Sequence, residues 1–275
     1  MWQAQLRLDY SCEAGRSVAR FAHSGPLRIL QSLYPEGDAV CHNVLVHPPG
    51  GLVAGDTLAI DIHAQAGSHG LVTTPGASRF YRSDGGLAAQ RTHIRAEAGA
   101  RLEWLPLEAI YYSGCEAENR LVLDLAPGAE AIGWDIAALG LPLAGQPFAR
   151  GRVLQHVELQ HAWLERGLLD AADRRLLDGP LGLAGHRCLA TLFIAAGADF
   201  TRARRDALLE AARALLPGHA LEESAGATAP NGRMVVLRVL APLVEPALAL
   251  LTSVRRAWRA EAWQLRAPDP RGWVL

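Results

Sequence analysis

The chain has 275 residues and a formal net charge of −1, with 28 acidic side chains against 27 basic ones, so it carries no overall field to hold nucleic acid or an anionic membrane. It contains no lysine, so every one of those basic residues is arginine; Schiff-base, lysine-base and Walker-type chemistry are excluded together. At this length the chain can bury a sizeable core as one domain, which we assign to 1–275, with a β-rich part over 1–195 and a mixed helix and strand part over 196–275.

The first residues, Met1 to Arg7, lack the basic and apolar regions of a secretory leader, and no apolar run approaches a membrane span of roughly 18 residues. A soluble, cytoplasmic protein is expected. Cys12, Cys41, Cys115 and Cys188 are scattered without metal-site or disulfide spacing, which predicts free and mostly buried thiols.

From Gln3 to about Arg152, short apolar stretches broken by glycine predict strands and turns. Val40 to Val46 reads as extended, which puts His42 on one face and Cys41 and His47 on the other. His42 and His47 are the metal-ligand candidates here, but no pair among these three side chains can chelate one ion on a regular strand. A core imidazole satisfied by a backbone group is the alternative for His42.

Next comes a shaped loop, His47-Pro48-Pro49-Gly50-Gly51-Leu52-Val53-Ala54-Gly55-Asp56. Pro48 and Pro49 fix their φ angles, while Gly50, Gly51 and Gly55 permit conformations that a Cβ forbids, and one carboxylate is left at the end. Neither P-loop nor dinucleotide-fingerprint spacing is present. Leu58, Ile60 and Ile62 then alternate with Ala59, Asp61 and His63, as Leu121, Leu123 and Leu125 do with Val122 and Asp124 further on, which predicts strands with one face buried.

A second shaped segment runs from Thr73 to Ser83, in which Arg79, Tyr81 and Arg82 suit either a partner surface or an edge strand. In a third, Leu102 to Tyr112, apolar bulk surrounds Glu103 and Glu108, and a carboxylate there is either exposed or costly. The turn-like triplets Ala66-Gly67-Ser68, Ala98-Gly99-Ala100 and Pro127-Gly128-Ala129 recur at intervals of 32 and 29 residues, each before an apolar segment. Stacked β layers would produce that period.

Val153 to Gln160 is a further strand, whose His156 and Glu158 form either a weak ion perch or a polar face. Asp199 or Thr201 caps a helix carrying Leu208, Ala212 and Leu215 and ending at Pro217-Gly218. Arg202, Arg204 and Arg205 in its first turn oppose the helix dipole and need solvent, nearby acids or a partner's acidic surface. Glu222 to Asn231 reads as a flexible excursion, Val235 to Val239 as a strand, and Glu245-Pro246 as the start of a second helix with Leu248, Leu251, Val254, Trp258 and Leu265 at helical spacing.

Taken together, Tyr34-Pro35-Glu36-Gly37, the His47-to-Asp56 loop, Thr73 to Ser83 and Leu102-Glu103-Trp104-Leu105-Pro106 resemble the urease accessory protein UreD (UreH) family in order and spacing. Trp134-Asp135, Leu139-Gly140, Gly145 and Phe148 resemble its central motif, Ala190-Thr191-Leu192 a later strand, and Asp269-Pro270-Arg271-Gly272-Trp273 its terminal motif, so the resemblance covers essentially the whole chain. It implies a mainly β fold of β-helical, stacked-sheet type decorated by about two α-helices in the C-terminal half.

The resemblance further implies a non-catalytic maturation factor. Such a scaffold docks on the urease apoprotein with the helical accessory protein UreF and the GTPase UreG, in a hetero-oligomer, and helps deliver nickel. It implies no tightly bound cofactor, only Ni²⁺ in transit through an internal passage lined near Asp56, Thr74 and Asp135. A conduit should hold the ion weakly, since raw affinity would favour zinc and copper.

The sequence departs from the family pattern at Ala54, at Leu107, and at Leu141 and Gln146, where the pattern has arginine and glutamate. Losing that arginine and glutamate together is consistent with deletion of an ion pair as a unit. The competing readings are a plain structural adaptor without a metal passage and a carbohydrate-active β-solenoid enzyme using Asp56 and Asp135 as its carboxylate pair.

Overall fold

The computed structural model describes residues 2–273; Met1, and the side chain of Arg271 in the expected terminal motif, lie outside the described residues. In chain order the strands are β1 (Gln3–Glu13), β2 (Arg16–Ser24), β3 (Arg28–Leu33), β4 (Cys41–Val46), β5 (Thr57–Ala64), β6 (His69–Thr73), β7 (Ser78–Phe80), β8 (Ala88–Ala96), β9 (Arg101–Leu105), β10 (Ala109–Tyr111), β11 (Cys115–Leu125), β12 (Glu130–Leu141), β13 (Gln146–Pro147), β14 (Gly151–Leu159), β15 (Trp163–Asp170), β16 (Cys188–Ala196), β17 (Ala225–Asn231) and β18 (Met234–Ala241). The helices are α1 (Arg174–Asp178), α2 (Arg202–Arg213) and α3 (Val244–Trp263).

The chain winds between two facing sheets. Sheet A has the order β15-β14-β11-β8-β5-β1-β2, and the main path of sheet B is β17-β18-β16-β12-β9-β6-β4-β3. Successive coils pass from β5 to β6, then β8 to β9, then β11 to β12, so β5, β8, β11 and β14 stack in parallel on one side and β4, β6, β9 and β12 on the other. This is the expected stacked, mainly β architecture. Antiparallel strands finish both sheets: β2 and β15 in sheet A, β3 at one end of sheet B and β16, β18 and β17 at the other.

The recurring glycine triplets are the tight turns of this coil. Gly67, Gly99 and Gly128 have φ of +71°, +73° and +86°, and the Gly99 amide donates to the Gly128 carbonyl at 3.1 Å. A side chain in that left-handed region is strained, which is why glycine recurs at this spacing. On the opposite side of the coil the connections are long: 47–56, 74–87, 106–114 and 142–150. All the shaped segments seen in the sequence therefore fall along one edge.

Period-two burial fills the space between the sheets, with Leu58, Ile60 and Ile62 on β5 and Leu121, Leu123 and Leu125 on β11. The outer face of sheet B forms a second apolar layer, where Ile132, Trp134 and Ile136 on β12 pack with Leu251, Val254 and Trp258 on α3. Thr201 caps α2 by accepting from the Arg204 amide, and both long helices begin within a residue or two of their expected positions. Arg204 pairs with Glu130, and Arg202 and Arg205 with Asp206, so the first-turn arginines are matched locally.

Two expectations are corrected. The segment read as a flexible excursion, Glu222 to Asn231, is a single turn followed by β17, which pairs antiparallel with β18. The register shifts between Thr228 and Asn231, around Pro230, whose missing N–H is tolerated on an edge strand. His42 is satisfied by a carboxylate and not by the backbone: its Nε2 lies 2.8 Å from Glu36 Oε1.

That contact belongs to a buried charge cluster that fastens α3 to sheet B. Arg255 and Arg259 of α3 and Glu103 of β9 are fully buried. Arg255 Nε donates to Glu103 Oε2 at 2.9 Å, Arg259 Nε lies 3.3 Å from Glu103 Oε1, Arg259 Nη2 donates to Glu36 Oε2 at 2.8 Å, and His69 Nε2 sits 3.1 Å from Glu103 Oε1. Burial works against the Glu103 carboxylate, but Arg255, His69 and Arg259 outweigh it and hold the group well below the usual carboxylate range. Glu36 is lowered in the same way, burial being overcome by His42 and Arg259.

Removing one member should leave a buried charge uncompensated. Glu103→Gln is expected to cost about 3–5 kcal/mol in chemical denaturation. Because both carboxyls are depressed, their contribution is complete above the ordinary value of 4.5 and is lost as pH falls below it, so the parent should lose stability faster than the Gln variant in that acid range.

Candidate functional site

The four long connections are laced together. Leu52 and Phe80 form a parallel bridge, with the Leu52 amide donating to the Arg79 carbonyl at 2.7 Å and the Tyr81 amide to the Leu52 carbonyl at 2.9 Å. β7 pairs with β10, which pairs with β12, and the Gly114 amide reaches the Arg150 carbonyl. The His47-to-Asp56 loop turns where the Gly50 amide donates to the His47 carbonyl at 2.8 Å. Gly50 and Gly55 have φ of +75° and +83°, and a Cβ on Gly51 would lie 2.2 Å from the Tyr81 ring. Pro48 and Pro49 form the exposed crest of the loop.

Asp56 is buried at the end of this loop. Its Oδ2 accepts from the Val53 amide at 3.0 Å and its Oδ1 from the Trp2 amide at 2.6 Å, so it closes the loop and ties down the start of β1. Arg79 Nη1 donates to the Gly50 carbonyl at 3.4 Å, Tyr81 is partly exposed with its ring 5.0 Å from that of Tyr112, and Arg82 extends outward beside Asp84. The three candidates for partner contact thus share this edge, with Arg79 the most tied to the loop.

A partly open cavity of about 210 Å³ enters the sandwich here, lined among others by His47, Gly50, Thr74, Arg79, Gln90 and Trp104. Thr74 Oγ1 accepts from the Leu107 amide at 2.9 Å and donates to the Gly76 carbonyl at 3.0 Å. Burial lowers the pKa of His47 against the opposing pull of Asp56. His42 lies elsewhere, in the charge cluster beneath α3.

From Gln90 a polar line continues between the sheets. Gln90, Asn119 and Gln155 are register neighbours on β8, β11 and β14 of sheet A. Asp135 on β12 faces them, because its neighbours Trp134 and Ile136 turn toward α3. Gln90 Nε2 lies 3.5 Å from Asn119 Oδ1, Asn119 Nδ2 donates to Asp135 Oδ1 at 2.7 Å, and Gln155 Nε2 to Asp135 Oδ2 at 2.7 Å.

Next to Asp135, and sensed by it through the charge of Glu165, a separate polar set lies at the rim. Thr191, the register partner of Asp135, donates to Glu165 Oε1 at 3.2 Å, and Arg238 donates to Glu165 Oε2 at 2.6 Å and 2.9 Å at a position open to solvent. Burial, and then the charge of Glu165, push Asp135 up to about 7 against its two amide donors.

Thr74 therefore lines the same cavity as Gln90, from which the polar line runs to Asp135, with His47, Gly50 and Arg79 also lining that cavity, whereas Asp56 sits at the end of the loop and acts electrostatically on His47. Sequence reading missed Gln90, Asn119, Gln155, Glu165 and Arg238. Their signal was a polar side chain in the inward register of an apolar strand, as Asn119 stands between Ala117 and Leu121. Leu141 and Gln146 are direct cross-strand partners on β12 and β13, where an arginine and a glutamate would face each other. Among the described residues, no three His, Cys, Asp or Glu side chains come together as a metal-binding set.

The family model described as UreD urease accessory protein matches residues 3–274. Curated relatives named urease accessory protein UreD include those of Variovorax paradoxus (strain S110), 68% identical over 273 residues and covering 99% of each chain, and Polaromonas sp. (strain JS666 / ATCC BAA-500), 62% identical over 274 residues and covering 100% of this chain and 99% of the relative. That of Leptothrix cholodnii (strain ATCC 51168 / LMG 8142 / SP-6) is 54% identical over 274 residues, again covering 99% of each.

A carboxyl raised from 3.8 to about 7 favours the folded state only while protonated, so its stabilisation is lost as pH rises through that window. Relative to Asp135→Asn, the parent should lose on the order of 1–3 kcal/mol across the window, measured by denaturant melts at a series of pH values.

Proposed function

The chain belongs to the UreD urease accessory protein family, and on that premise we propose that it is a non-catalytic urease maturation factor that both scaffolds the maturation complex and conducts nickel through its own interior. The single observation that carries the conduit reading is the polar line from the cavity at His47, Thr74 and Arg79, through Gln90 and Asn119, to Asp135 and Gln155, with the separate set of Glu165 and Arg238 next to it at the rim. In a sandwich packed with leucine, isoleucine and valine, half-buried amides and a carboxylate cost stability unless they bond one another or water. Here they bond one another in sequence, and that arrangement supports a path for a hydrated cation.

The chemistry suits passage. One carboxylate and three amides offer hard oxygen donors, which hold a divalent ion more loosely than an imidazole or thiolate cage would. Selectivity then comes from confinement: the ion is handed from a donor protein to urease without meeting competing metals. The proposed partners are the urease apoprotein, a UreF-like helical protein and a UreG-like GTPase as the nickel source. No helix among the described residues is long and apolar enough to cross a membrane.

The test is co-expression of the chain with the urease apoprotein, UreF and UreG, followed by Asn119→Leu and Asp135→Ala singly. Complexes should still assemble, while the rate of nickel incorporation, measured by metal analysis of purified urease, falls by about tenfold or more, equivalent to about 1.4 kcal/mol on the loading barrier. Assembly with full nickel loading in both variants would leave only the plain adaptor reading.

A further inference from the structure

A second cleft, distinct from the polar line, opens on the outer side of sheet B, where β12 ends and β16 begins beside β10 and the start of α3. Its volume is about 240 Å³, and its walls are apolar, formed by Ile110, Leu141, Pro142, Leu143, Leu243 and Val244. Leu143, at the tip of the turn over 142–144, is 83% exposed. An apolar side chain so fully presented at the lip of an apolar cleft is what an interface centre offers.

Two carboxylates, Glu108 and Glu245, line the same cleft. Among the described residues neither forms an ion pair. Burial, and then the charge of Glu245, raise the Glu108 carboxyl, opposed by its own backbone amide and by Arg79. Arg187, the guanidinium in the cleft, is already committed: it donates to Asp178 at 2.7 Å and to the carbonyls of His186 and Leu177 at 3.0 Å and 3.2 Å. Among the described residues the two carboxylates therefore stand beside apolar walls without an ion pair, with only the longer-range pull of Arg79 on Glu108.

We propose that this cleft docks a segment of an assembly partner that presents a lysine or arginine flanked by apolar side chains, the cation set between Glu108 and Glu245 and the apolar flank against Leu141 and Leu143. A long basic side chain matches both parts of the cleft, since its methylenes cover apolar wall while its head meets carboxylate. A small hydrated ion would satisfy the acids and leave Leu143 bare. Placed under an apolar cover, such an ion pair is shielded from solvent and fixes register as well as affinity. The inference rests on the scaffold reading in one respect, that the occupant belongs to the maturation assembly.

The experiment uses the full chain with purified UreF and, separately, the urease apoprotein. Binding is measured for the parent, for Glu108→Gln with Glu245→Gln, and for Leu143→Asp, with thermal melts as the folding control. Both variants should weaken one and the same partner by about tenfold or more, and the melting temperature of the double Gln variant should hold or rise because repulsion is relieved. A photo-crosslinker at position 143 should attach to a partner segment with a basic residue among apolar ones. Unchanged binding of both partners, attachment to an acidic segment, or loss of Ni²⁺ binding alone with partner affinity intact would overturn the docking site while leaving the scaffold standing. Failure of the parent to bind either protein would instead remove the scaffold reading and the docking site with it.

Discussion

Everything on the outer side of sheet B depends on the pairing of Arg255 and Arg259 with Glu103 and Glu36. Two fully buried guanidinium groups cannot be left without counter-charge, and the two carboxylates that match them come from a β-strand and from a loop far away in sequence. The cluster therefore acts as a register key for α3: a shift of the helix by one residue would separate both arginines from both acids at once. Packing of Trp134, Leu251 and Trp258 supplies the apolar area, but similar areas could be buried at several helix positions, whereas the charges accept one.

With α3 held, the two layers of the molecule divide the work. The layer between sheet B and the helices is apolar around its charge cluster, and Trp273, its ring tilted 35° against that of Trp134 with its Nε1 donating to Thr73, extends it toward the C-terminal end. The layer between the sheets carries the amides and the carboxylate. A polar interior of this kind is tolerable because the coil sets each strand in parallel register with the next, so that Gln90, Asn119 and Gln155 fall side by side. A ladder of like residues is the natural product of stacked coils, and here it runs across three adjacent strands of sheet A.

Much of this was legible in the sequence, for identifiable reasons. Alternation around Leu58 and Leu121, and glycine triplets whose spacing matches the coil, are local signals, and they gave stacked strands; Thr201 and Pro246 marked the two long helices. The motif carboxylates Glu36 and Glu103 were visible as motif members but not as partners, because their pairing spans more than 150 residues to α3. His42 was misassigned for a different reason: its partner Glu36 lies only six residues away but is brought to it by the turn between β3 and β4, which alternation along a strand does not reveal. The polar line was only half legible: Asp135 stands in a motif, while Gln90 and Gln155 are unremarkable until neighbouring coils bring them together. β17 escaped because its small and polar residues lack strand propensity and owe their conformation to pairing with β18.

The antiparallel strands that finish every edge have a bearing on how long such a molecule can be. Reversing strand direction at β2, β15, β3 and β16 ends the run of parallel coils at both ends of the stack. A layer added among the parallel coils would push the two ends of the stack about 4.8 Å further apart. The number of coils is thus a gauge cut into the topology, which fixes how far apart the first and last layers stand.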